Sequence, residues 1–155
     1  MQSSTPIIDA LNALLTDELT AIDQYISHRG RAAAWGYGVF VTYIDERIAD
    51  EQAHAQALIK RIYELEGVPN TVRRNTVNVA ADLFNGLGND RLAEIGAVAK
   101  YNEAIALAEA SGDNATRALL EGILKDEDDH LLDIEKRLVQ IAQVQLAQWL
   151  SLQIG

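Results

Sequence analysis

Apolar residues recur at intervals of three, four and seven along four long stretches of this chain, the spacing that lines one face of an α-helix. The first stretch covers about residues 6–34, with Pro6 acceptable in a first helical turn, and Trp35, Gly36, Tyr37 and Gly38 break it. The second covers about 39–66 and stops at Gly67, Val68 and Pro69. Residues 70–80 have no clear period and read as a long connection. A third stretch spans about 81–110, a turn follows at Ser111, Gly112 and Asp113, and a fourth spans about 114–142. The tail over 144–154 has Leu146, Trp149, Leu150 and Ile154 at helical spacing and predicts a short fifth helix. Strand patterns are absent. Two short turns flanking one long crossover predict an all-α fold: an antiparallel four-helix bundle, with the crossover between helices two and three. We read residues 1–155 as one domain.

The apolar seams are Leu11, Leu14, Leu15 and Ile22; Ile44, Ile48, Leu58 and Ile62; Leu83, Leu87, Val98 and Ile105; and Leu120, Leu124, Leu131, Ile134 and Leu138. Four glutamates fall on the same faces. Glu18 lies four after Leu14, Glu51 three after Ile48, Glu94 seven after Leu87 and Glu127 three after Leu124. His54 and His130 follow Glu51 and Glu127 by three, so each pair shares a face one turn apart. The two Asp-Glu-x-x-His stretches, "DEQAH" and "DEDDH", begin 76 residues apart, and the same offset carries Glu18 to Glu94 and Tyr25 to Tyr101. Glu18 and Glu51 are 33 residues apart, as are Glu94 and Glu127, which brings each pair level across a helical hairpin.

An isolated buried carboxylate is costly, and four together repel unless protonated or neutralised. Two divalent cations balance four carboxylates, and two neutral imidazoles complete the ligand set. Mixed oxygen and nitrogen donors suit iron, manganese or zinc, and six side chains for two metals leave open positions, as reaction requires. A lone Glu-x-x-His is a weak signal. Two of them, each with a partner glutamate at equal spacing on an apolar seam, form the set known from dinuclear carboxylate bundles.

Composition narrows the setting. The chain lacks cysteine, which removes disulfides, thiolate metal sites and cysteine nucleophiles and suits a reducing cytoplasm. Its start has no secretory pattern, and no run of 18 apolar residues exists, so neither export nor a membrane span is expected. The net charge of −10 disfavours nucleic acid and anionic lipid as partners. Acidity alone does not separate simple solubility from attraction of cations.

Three segments carry a family resemblance: "LNALLTDELTAIDQY", "IADEQAHAQALIKRIYELEGVPN" and "EGILKDEDDHLLDIE". With them the chain resembles the bacterioferritins of the ferritin-like superfamily over its whole length. The resemblance implies a hollow cytoplasmic shell of 24 subunits built from dimers. Such a shell takes up Fe(II), oxidises it with dioxygen or peroxide at a dinuclear centre within each subunit, and stores ferric mineral. It implies two iron ions per subunit, with Glu18 and Glu94 as terminal ligands, Glu51 and Glu127 as bridges, and His54 and His130 binding one metal each. Tyr25 is expected near a ligand, as a hydrogen-bond donor or electron source or else as a core aromatic, and Tyr101 is read as core alone.

Two positions depart from the family pattern. Typical bacterioferritins hold haem between paired subunits through a methionine directly after the first bridging glutamate; Gln52 stands there, and the only methionine is Met1, so haem is expected to be absent or weakly held. Relatives place a histidine at the position of Glu46, beside an inner-surface iron site with residue 50. Here Glu46 and Asp50 form an acidic i, i+4 pair that can hold iron or simply face the cavity solvent.

Other readings remain: a different di-iron or di-manganese oxidase or peroxidase of the superfamily, or a subunit of a mixed shell with a haem-binding paralogue. A substrate oxygenase needs extra length for a pocket, a rubrerythrin-like protein needs cysteine, and the small DNA-protecting ferritins place their ligands between subunits.

Overall fold

The computed structural model describes residues 5–155. Met1, on which part of the haem argument rests, lies outside the described residues. Among the described residues, four long helices and one short one account for the elements: α1 Thr5–Ala34, α2 Gly38–Glu64, α3 Leu83–Ala110, α4 Asn114–Val144 and α5 Leu146–Ser151.

Each boundary has a local cause. Gly36 takes φ +79°, and the amide of Tyr37 closes back on the carbonyl of Ala32 at 2.9 Å, ending α1. The stop of α2 comes earlier than the sequence pattern suggested. Glu66, not Gly67, adopts the left-handed conformation, at φ 61°. Gly67 is needed for a different reason: a Cβ there would stand 2.8 Å from the side chain of Ile8 and 3.0 Å from that of Ile62. Asp82 and Asp113 cap α3 and α4, accepting from the amides of Asn85 at 2.8 Å and Thr116 at 3.0 Å. The third helix therefore starts at Leu83 rather than near Ala81.

The hairpins α1–α2 and α3–α4 pack side by side, α1 antiparallel to α3 and α2 antiparallel to α4. Cross-helix pairs run in opposite directions along each interface: Tyr25 with Glu94 and Tyr101 with Glu18; Asp50 with His130 and Arg61 with Thr116. This is the antiparallel four-helix bundle, with its long crossover between helices two and three, that the periodicity predicted.

The crossover lies extended along α1, where polar side chains spaced by one or two turns receive its backbone. Asn12, Thr20, Gln24 and His28 accept from the amides of Asn70, Asn75, Asn78 and Ala80 at 2.7, 2.9, 3.1 and 3.3 Å. His28 is buried. Its Nε2 accepts from Ala80, so its Nδ1 carries the proton that Asp90 takes at 3.1 Å. Irregular backbone is thus satisfied without a sheet.

Two apolar clusters occupy the bundle, one built on Leu11, Leu15, Leu58, Ile62 and Leu120, the other on Phe40, Ile44, Leu87 and Ile134. The seam residues Ile48, Val98, Ile105, Leu124, Leu131 and Leu138 are only partly buried. In α5, Trp149 is buried edge-on against Phe40 at 5.9 Å, and the amide of Val39 donates to Gln153 at 2.9 Å, fastening the tail to the start of α2.

Candidate metal centre

Between the two apolar clusters lies a layer of charge. Glu18 from α1, Glu51 and His54 from α2, Glu94 from α3, and Glu127 and His130 from α4 are all buried, each 4% exposed or less. Helical periodicity put them on inward faces, and hairpin geometry brings them level. They form two overlapping groups. Glu18, Glu51, His54 and Glu127 bring one ligand atom each within 4.8 Å of one another, and Glu51, Glu94, Glu127 and His130 do the same. Glu51 and Glu127 belong to both groups, whereas Glu18, Glu94 and the two histidines belong to one each.

The inward nitrogen of each histidine is Nδ1. That of His54 stands 3.2 Å from Glu51 and 2.7 Å from Glu127, and that of His130 stands 3.1 Å from Glu51. The outward Nε2 atoms are held by carboxylates of the facing helix, His54 by Asp126 and His130 by Asp50, both at 3.0 Å. Such contacts fix the ring and leave Nδ1 to act as donor atom. They obey the 76-residue offset, since Asp50 and Asp126 open the two repeated motifs. The sequence displayed these aspartates but did not reveal their partners. Glu46 is well exposed, and the Arg47 guanidinium lies near both acids of the expected pair, 3.8 Å from Glu46 and 3.7 Å from Asp50. Gln52 lies exposed on α2.

On the opposite side, Tyr25 donates to Glu94 at 2.6 Å. Tyr101, expected to be core alone, also donates its hydroxyl, to Glu18. Both rings are buried, so each has a core body and a polar tip directed at a glutamate.

The donor set fits divalent metal. Glu51 Oε1, Glu94 Oε2, Glu127 Oε1 and His130 Nδ1 are buried without a hydrogen-bond partner, a costly arrangement unless a cation completes it. Protons are the alternative. Burial, then repulsion from Glu18, pushes Glu51 well above the ordinary carboxylate range. Burial likewise takes Glu127 up to about 11, aided by repulsion from Glu51, Glu18 and Glu94. Burial also opposes the charge on Glu94, but the neighbouring His130 and Glu127 and the hydroxyl of Tyr25 hold it below its usual value. Both histidines are raised despite burial, His54 by Glu127, Glu18 and Glu51, and His130 chiefly by Glu94.

The chain is similar to known proteins over most of its length. The family profile described as "Ferritin-like domain" matches residues 8–144. A bacterial ferritin of Paramagnetospirillum magnetotacticum is 35% identical over 100% of this chain and 96% of its own length. One from Synechocystis is 34% identical over the full length of both chains. A bacterioferritin of Mycobacterium leprae is 31% identical over 93% of this chain and 91% of its own.

Proposed function

We propose that this chain, which belongs to the family of ferritin-like domains, stores iron and oxidises Fe(II) to Fe(III) at a dinuclear centre within each subunit. The observation that carries this reading is the sharing of Glu51 and Glu127 between both ligand groups. In the reading, these two bridge, Glu18 and Glu94 are terminal ligands, and His54 and His130 bind one iron each. Iron is the substrate. Each of two Fe(II) ions gives up one electron, and the pair reduces dioxygen to peroxide, or peroxide to water, with uptake of two protons. Paired delivery avoids one-electron release of radicals. Tyr25 and Tyr101 hold the terminal carboxylates in position, and Asp50 and Asp126 do the same for the histidines. Glu46 and Asp50 offer a secondary place for iron on the α2 surface, with Asp50 also engaged to His130.

In the same reading residues 1–155 act as one unit in the cytoplasm, assembled as a 24-mer that encloses ferric mineral. No described helix is long and apolar enough to cross a membrane. Haem is absent because Gln52 offers only an amide where the family uses a thioether. The test joins particle mass to activity. Wild type forms a very large particle and rapidly oxidises about two Fe(II) per subunit, and Glu127→Ala loses the fast phase. A monomer, or an unchanged rate in the variant, refutes the reading. A large particle that forms only with a paralogous subunit supports the mixed-shell version.

A further inference from the structure

A cavity of about 580 Å³ lies between α1 and α3 under the crossover, and its inner end is lined by Glu18, Glu51, Glu94 and Glu127. The unpartnered Oε2 of Glu94 belongs to this lining. A second cavity, about 570 Å³, runs along α1 beside Asp9, Asn12 and the Arg73 stretch of the crossover. The two share three residues only: Asp17, Asn75 and Lys100.

Those three form a knot. The ammonium of Lys100 donates to both oxygens of Asp17, at 2.9 and 2.7 Å. The side-chain amide of Asn75 donates to the same carboxylate at 2.6 Å, and the backbone of Asn75 is fixed to Thr20 at 2.9 Å. One carboxylate thus joins α1, α3 and the crossover at the boundary between outer groove and inner chamber. The Lys100 side chain is 48% exposed and that of Asp17 is 21% exposed, so the ammonium can swing into water on its flexible stem.

We propose that Asp17 and Lys100 form a charge gate on the path by which divalent metal reaches the four glutamates. Asp17 is a transit ligand, and the Lys100 ammonium occupies it at rest. The proposal rests on the reading of the six residues as a metal centre. An arriving divalent ion carries twice the charge of the ammonium it displaces. Lys100 turns outward, the ion rests on Asp17, and the four glutamates beyond bind it more tightly than the one behind as they give up their protons. Lys100 therefore slows admission, whereas Asp17 promotes it, and Asn75 keeps the carboxylate at the neck.

Loading of the metal-free, full-length protein with Co(II) tests this without iron oxidation. The visible absorption of bound Co(II) is followed by rapid mixing. Wild type should take up two ions per chain. Lys100→Met should load roughly threefold faster or more, and Asp17→Asn roughly tenfold slower, both reaching the same final count. Lys60→Met, which removes a charge from exposed α2 surface, should match wild type. Full loading at wild-type rates in both gate variants overturns the gate and moves access to the α2–α4 face. Failure of wild type to bind Co(II) overturns the metal centre and the gate with it. A pair that merely fastened α1 to α3 would not make Lys100→Met faster.

Discussion

Asp126 on α4 holds Nε2 of His54 on α2 at 3.0 Å, and this contact decides that Nδ1 is the nitrogen left for metal. Asp50 does the same for His130 at 3.0 Å. Replacing Asp126 by Ala frees the ring to turn and removes the acceptor that makes Nδ1 more basic. Affinity for Zn(II) at one of the two positions should fall about tenfold to a hundredfold, with the other little changed. Calorimetric titration separates the two. Equal affinities in Asp126→Ala and wild type would remove the aspartate from the site.

Tyr101 and Tyr25 grip Glu18 and Glu94 from facing helices. Tyr101→Phe leaves a buried carboxylate without its hydroxyl donor. Urea unfolding of the metal-free protein should show a loss of about 1–3 kcal/mol, and Tyr25→Phe should cost a similar amount. Added metal should recover part of the loss, since a cation satisfies the same oxygen. A Tyr101→Phe variant as stable as wild type would return Tyr101 to a purely apolar role.

Protonation and metal compete for the same atoms. Glu127 goes from an ordinary value of 4.5 up to about 11 on folding, and Glu51 and both histidines are also raised. Metal binding must therefore release protons, and affinity should weaken as pH falls from about 7.5 to 5.5. Titrations in buffers of different ionisation enthalpy measure that release. Without metal, the folded state holds more protons than the unfolded chain between 4.5 and about 11, so these groups stabilise it at low pH. That stability is lost as pH rises through the folded value. The metal-free protein should unfold at a higher temperature near pH 5.5 than near pH 8, and loaded protein should reverse the order. A metal-free protein that gains stability toward pH 8 contradicts the raised values.

Gln52 gives the haem expectation a direct check. Protein purified after growth with excess haem should show no Soret band, and Gln52→Met, which puts a thioether on the exposed face of α2, should gain one. A Soret band in wild type would mean that another residue holds the haem.

The bundle, its crossover and the inward placement of the four glutamates and two histidines were legible because burial and helical period act together. A glutamate on a leucine seam has nowhere to point but inward, and a constant offset of 76 residues repeats the whole set. The supporting residues were not legible for the same reason. Asp50 sits at the border between inner stripe and solvent, with its side chain 46% exposed. Periodicity cannot say whether such a residue pairs along its own helix with Glu46 or across the bundle with His130. Tyr101 fitted an apolar position by its ring, and nothing local announced that its hydroxyl reaches Glu18. His28 and Asp90 went unread because they serve the crossover, whose path has no periodic signature. The end of α2 was misplaced by a glycine whose purpose is close packing against Ile8 rather than a left-handed turn.

The swapped grips of the two hairpins tie the chemistry to completion of the chain's tertiary structure. Tyr25 and Asp50 belong to the first half but hold Glu94 and His130 of the second, while Tyr101 and Asp126 hold Glu18 and His54 of the first. Neither half can present a finished set of donors before it meets the other. A first hairpin alone holds Glu18, Glu51 and His54 without the hydroxyl of Tyr101 or the carboxylate of Asp126 that orient them.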